Sequence, residues 1–158
     1  MFFVDSWATA DKRVLLSLSA TVTDVFMRHV QIAQSDCETG GLLLGTVHGA
    51  NLLIVEATTH TSQDKRFRFF FERSPFGHQD VAQARWNDSG GTVRYLGEWH
   101  THPEDHPHPS ALDQLEWRKL ATQRKDKRPL LALIVGRKSL YLALVPALGK
   151  AQVLISNF

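Results

Sequence analysis

Half of the chain's eight histidines, His100, His102, His106 and His108, lie inside the stretch YLGEWHTHPEDHPHPSALDQLEW of residues 95–117. On a strand, residues two apart face the same side. His100 and His102 therefore project together, and Glu98 shares their face. Two imidazoles so placed are the start of a zinc site. A third ligand must come from elsewhere, and Asp113 lies eleven residues after His102, across a proline-rich loop. It falls in the first turn of the next helix. A strand, a stiff return loop and a helix start can bring these three side chains to one point. Three protein ligands leave a fourth coordination position open, which is the catalytic rather than the structural arrangement. The same residues have a purely structural use: Ser110 followed by Asp113 resembles a capping box with Asp in place of Glu or Gln. His106 and His108 have no comparable geometric support and read as loop residues near the mouth of the site.

The elements that must position these groups follow from pattern. The segment TVTDVFMRHVQIAQ places Val22, Val25, Phe26, Val30 and Ala33 near one helix face, with Thr21 or Thr23 as cap. GGLLLGTVHGANLLIVEATT reads as two strands turning around residues 48–51. RFRFFFER alternates at Phe67, Phe69 and Phe71, a half-buried strand pattern. Ser74 and Pro75 open a second helix that Gly90-Gly91 ends. TVRYLGEWHTH is a strand, and SALDQLEWRKLATQ a helix with Leu112, Leu115 and Leu120 at near-helical spacing. PLLALIVG and SLYLALVPA form a hairpin turning at residues 136–138, and QVLISNF adds a terminal strand. Hairpins interleaved with helices predict an α/β chain, a mixed sheet with helices against it, in a single domain spanning 1–158.

Composition bounds the function. With 43% hydrophobic residues the chain can bury a core. Its 18 basic and 16 acidic side chains leave +2, too small a bias to point to nucleic acid or an anionic membrane. The single cysteine, Cys37, excludes an intramolecular disulfide and fits a reducing, cytoplasmic setting. The N-terminus lacks a secretory pattern, and no apolar run reaches the length of a membrane span.

His100-Thr101-His102-Pro103, six residues, then Ser110-Ala111-Leu112-Asp113 resembles the His-x-His-Pro-x(6)-Ser-x-x-Asp signature of JAMM metalloproteases, in the MPN/JAB domain group. Upstream, Glu38-Thr39-Gly40-Gly41 looks like that family's glutamate at the end of the first helix, followed by its glycine-rich strand. The likeness runs from about Thr21 to Pro146. It implies a curved mixed β-sheet flanked by α-helices, with cytidine-deaminase-like layering. It also implies Zn2+ on His100, His102 and Asp113, Glu38 as general base and then acid, and Ser110 as support for the oxyanion. Thr101 stands where the family more often has Ser. Glu98, on the histidines' strand face, is the rival base or ligand, and Cys37 a further candidate ligand.

The family hydrolyses amide bonds, often the isopeptide between a ubiquitin-like C-terminus and a lysine amine. YLGEWHTHPE most resembles small bacterial JAMM proteins found beside ubiquitin-transfer-like enzymes, some in CBASS antiphage operons. That implies a protein substrate whose extended C-terminal tail is joined to a lysine amine, such as a conjugated cyclic-nucleotide synthase. Two alternatives stay open: processing of a sulfur-carrier or ubiquitin-like precursor, and a non-catalytic MPN scaffold.

Overall fold

The structure, a computed structural model, describes residues 3–67, 70–74 and 77–157. In chain order the elements are β1 (Ser6–Ala8), β2 (Leu15–Leu18), α1 (Ala20–His29), β3 (Gly40–His48), β4 (Asn51–Ala57), β5 (Lys65–Phe67), β6 (Phe70–Glu72), α2 (His78–Asp88), β7 (Arg94–Thr101), α3 (Ala111–Gln123), β8 (Leu130–Val135), β9 (Leu140–Val145), β10 (Gln152–Val153) and β11 (Ile155–Ser156). Nine strands form one sheet in the order β10-β9-β8-β7-β3-β4-β2-β1-β11, and β5 and β6 form a separate hairpin. The sheet is mixed: β2–β4 and β7–β8 run parallel, the other pairs antiparallel. Its end strands, β10 and β11, are separated in sequence by Leu154 alone. The sheet must therefore curl until its two edges meet at this segment. Leu154 is buried there, and its N–H donates to Leu142 O at 2.9 Å.

The apolar run of β8 shows why the layers form. Leu131, Leu133 and Val135 join the cluster that receives Val22, Val25 and Phe26 of α1. Leu130, Ala132 and Ile134 join the opposite cluster, with Trp117 and Ala121 of α3. A strand covered on both faces carries a continuous hydrophobic run rather than an alternating one. The expected curved, helix-flanked α/β sheet is thus the observed architecture.

Several local expectations are corrected. Ser19, not Thr21 or Thr23, caps α1, accepting from Val22 N. That helix stops at His29, so Val30 is its C-cap and Ala33 lies in the following loop. Helix α2 starts at His78 with Gly77 as N-cap and no side-chain cap, rather than at Ser74; Pro75 lies outside the described residues, as does Phe69 of the Phe-rich strand. Gly90 and Gly91, both at positive φ, do follow its end. Leu112 and Leu115 do not face the core: α3 buries Trp117 and Ala121 and leaves both leucines exposed. The C-terminal strand is split by Leu154 into two bridges to opposite sheet ends. Among the described residues no helix is long and apolar enough to cross a membrane.

Candidate metal centre

Strand register does most of the positioning. β3 and β7 pair antiparallel with Gly40 opposite His100. Continuing that register places Thr39 opposite Thr101 and Glu38 opposite His102. The pairing persists beyond the strand: Thr101 N donates to Thr39 O at 2.9 Å, and Thr39 N to Thr101 Oγ1 at 3.1 Å. The Thr101 hydroxyl in turn donates to Gln31 Oε1 at 2.7 Å. The residue between the two histidines thus bolts the Glu38 segment to β7. Glu38 is accordingly not at the end of the first helix but in the loop leading into β3, and it is buried. Gly40 opens β3, as the glycine-rich strand implied. A Cβ there would strike the Trp99 carbonyl and His100, so glycine is what lets β3 lie this close to the histidine strand.

The other side is built by the return loop. His102 N donates to Val135 O at 3.0 Å, and the β8–β9 turn binds the loop through Arg137 N to Glu104 O and Lys138 N to Asp105 O. Arg137 Nε adds a 2.8 Å bond to Asp105 Oδ1. A Cβ on Gly136 would collide with the Pro107 ring, so this packing requires glycine at the turn. The loop delivers Ser110 as the N-cap of α3. Ser110 Oγ accepts from Asp113 N at 3.0 Å, and Asp113 Oδ2 accepts from Ser110 N at 2.8 Å, a complete capping box.

The cap leaves the Asp113 carboxylate within reach of both histidines. While capping the helix, its carboxylate reaches His100 Nε2 at 3.2 Å through Oδ1 and His102 Nε2 at 3.1 Å through Oδ2. The two Nε2 atoms lie 3.1 Å apart. Glu38 Oε1 stands 3.7 Å from His102 Nε2, and ligand atoms of Glu38, His100 and His102 all fall within 4.8 Å of one another. Trp117 packs against the His100 ring, with centroids 6.1 Å apart.

This donor set suits a tetrahedral divalent ion. Ligand atoms about 2.0–2.1 Å from zinc lie about 3.3 Å from each other, close to the spacings of 3.1–3.2 Å among His100, His102 and Asp113. The electrostatics favour positive charge at the same point. Burial opposes a charge on His102, but Asp113, Glu104 and Glu38 outweigh it and push its pKa up to about 9. Burial also opposes ionisation of Asp113, yet its bonds to His100 and His102 hold it well below the usual carboxylate range. Burial pushes Glu38 up to about 8 against the pull of His102.

Other candidates fall away from this point. Glu98, the rival base, shares the histidines' side of the sheet, but its Oε1 accepts from Arg73 Nε at 2.6 Å. Cys37 is half-buried and lies outside the cluster of ligand atoms. His106 is exposed and bonded to Ser139 Oγ, and His108 is exposed. One residue went unread in the sequence: Glu104, whose Oε1 meets His102 Nδ1 at 2.7 Å. A carboxylate there fixes the tautomer that turns Nε2 toward the cluster. Its position two residues after a candidate ligand was the available signal.

The profile of the family described as "Prokaryotic homologs of the JAB domain" matches residues 19–145. The chain is 58% identical over 153 residues to a CD-NTase/cGAS isopeptidase of Pseudomonas aeruginosa (strain BWHPSA011 / Pa011), covering 97% of each. It is 37% identical to the protein of that name in Escherichia coli (strain TW11681), covering 77% of this chain and 78% of that one. A third such protein, from Vibrio cholerae serotype O1, is 35% identical over 81% and 80%. The solution structure of protein DSY2949 from Desulfitobacterium hafniense shares the fold, with a TM-score of 0.63 and 22% identity over 87% and 88% of the two chains.

Proposed function

The chain belongs to the family of prokaryotic homologs of the JAB domain, and on that premise we propose that it is a zinc-dependent isopeptidase. Its substrate would be a protein joined through its C-terminal carboxyl to a lysine amine, a CD-NTase/cGAS-type cyclic-nucleotide synthase by analogy with the relatives' name. Release of that synthase would reverse a conjugation step of antiphage defence in the bacterial cytoplasm. The observation that supports this most is the convergence of His100, His102 and Asp113 within 3.2 Å, with Glu38 beside them.

His100, His102 and Asp113 would hold the ion. Zinc supplies Lewis acidity toward water and toward the scissile carbonyl. Glu38 would take a proton from the attacking water and deliver it to the departing lysine amine. Burial raises the pKa of Glu38 above the usual carboxylate range, which favours its holding the proton between the two transfers. Ser110 Oγ accepts from Asp113 N, which leaves its single O–H free to donate to an oxyanion. The α3 N-terminus adds a favourable dipole.

The test is incubation of purified protein with lysine-linked conjugates, with and without a chelator, read by mass spectrometry at the cut bond. Cleavage after the tail's last residue that stops on chelation and resumes with zinc is the expected result. Cleavage indifferent to chelation, or none on any conjugate, would refute it.

A further inference from the structure

Two chambers form one continuous groove across the sheet. The first, about 460 Å³, contains the candidate ligands His100 and Asp113 and is walled by Phe71, Glu72 and Leu112. The second, about 680 Å³, opens between α2 and α3 over the start of β7. Arg73 and Leu120 line both, so one passes into the other. The walls are stripes of helix: Gln79, Gln83 and Trp86 on α2, and Leu120 and Gln123 on α3 with Arg124 at its C-cap.

The chambers carry opposite charge. The first is lined by Glu72, Glu98, Asp113 and Glu116 against Arg73 and Lys119. The second is lined by Arg73, Arg94, Arg124 and Lys125 against Asp126. Two of these cations are already engaged, Arg73 by Glu98 and Arg124 by Asp126. Arg94 also lies near Asp126, but its buried Nε has no hydrogen-bond partner among the described residues. A buried guanidinium donor left unpaired costs free energy unless a ligand accepts from it. Trp86, large and 44% exposed on α2, faces the same chamber and offers a stacking surface.

We infer that the second chamber is a subsite for an acidic side chain of the substrate's C-terminal tail, with Arg94 as the residue that selects it. The inference rests on the isopeptidase function above, which supplies the occupant: an extended tail leading to the metal ligands. Arg94 and His100 are six residues apart on β7, but a bulge against β3 takes up one of them, which leaves about 17 Å at about 3.3 Å per residue. A tail lying along the strand would therefore present to Arg94 the residue about five before the scissile carbonyl. An acid there meets the cationic chamber. Charge complementarity and continuity with the ligand-bearing chamber single out this occupant.

The probes are ten-residue peptides joined by their C-terminal carboxyl to the ε-amine of acetyl-lysine amide, with one Asp moved through the tail and Asn or Lys as controls. Cleavage is followed with zinc-loaded protein, and binding by fluorescence anisotropy with zinc-loaded Glu38→Gln. Asp four to six residues before the cut bond should improve kcat/KM and Kd about tenfold over Asn. Arg94→Met should erase that preference, Arg94→Lys should retain part of it, and Arg94→Glu should transfer it to the Lys peptide. Indifference to charge at every tail position, a preference surviving Arg94→Met, or a preference carried by residues around the lysine would overturn the subsite. Metal-dependent cleavage without charge preference sinks the subsite alone. Arg94-dependent binding of acidic peptides without cleavage sinks the isopeptidase function alone. Absence of both sinks both.

Discussion

At the residue scale, neighbouring acids are set to different tasks by what touches them. Asp113 is claimed by two imidazoles and the α3 cap. Glu98 is claimed by Arg73. Among the described residues Glu38 has His102 as its one ion-pair contact, at 3.7 Å, and it is pushed up to about 8 by burial. Glu38→Gln should therefore keep zinc and lose turnover by at least about a hundredfold, the usual loss when a general base goes. Metal analysis beside single-turnover cleavage separates the two, and full activity in the variant would remove Glu38 from the mechanism. Glu104 acts one atom further out, through His102 Nδ1 at 2.7 Å. Glu104→Gln should weaken zinc binding about 10–100-fold, measured by chelator competition; unchanged affinity would assign Glu104 to the loop rather than to the metal.

At the element scale, the segment between β4 and α2 is organised by Asp64. Its carboxylate accepts from Thr61 N, Ser74 N and His78 Nε2, each at 2.7 Å. Buried His78 then meets Thr58 Oγ1 at 3.1 Å, and Thr58 O accepts from Trp99 of the histidine strand. Burial raises the pKa of Asp64, but these bonds outweigh it and leave the pKa lowered. A lowered carboxylate pKa means stability present above the unfolded value, about 3.9, and lost as pH falls through the folded one. Asp64→Asn should cost about 2 kcal/mol at pH 7, and the gap from the parent should shrink below pH about 4 in denaturant titrations. A gap constant with pH would mean the charge is not what matters. Beyond the local Thr61–Asp64 bond this hub was not legible in the sequence, since its other bonds join residues ten and fourteen apart across the β5–β6 hairpin. The strands β3, β8 and β9 were legible because they carry apolar runs. The helix ends and faces were not: α1 takes its cap from Ser19, outside the periodic stretch, and α3 turns Leu112 and Leu120 to the groove and Leu115 to solvent while Trp117 and Ala121 face the sheet. The juxtaposition of His100, His102 and Asp113 could be read because register and capping are local rules. Glu38's approach came only from the family resemblance, because it depends on pairing between β3 and β7.

At the scale of the whole molecule, the candidate metal cluster is a junction. Its side chains come from the lead into β3, from the end of β7 and just beyond it, and from the first turn of α3. With a single cysteine in the chain, no disulfide joins these segments. An ion held by all three therefore binds the folded chain and not the unfolded one, and adds its binding free energy to stability. At about a thousandfold excess over Kd the gain is about 4 kcal/mol, and at about 2–4 °C per kcal/mol for a chain of this size the midpoint should rise by about 8–16 °C. Calorimetry of chelator-treated and zinc-loaded protein reads this directly. Asp113→Asn is the informative variant, because the amide oxygen can still accept from Ser110 N and keep the α3 cap while the charged ligand is gone. Its metal-free midpoint should stay within a few degrees of the parent, and the zinc-induced rise should collapse. A rise equal to the parent's would show that any zinc binds elsewhere, whereas a metal-free midpoint far below the parent's would show that Asp113 serves the fold first and the ion second.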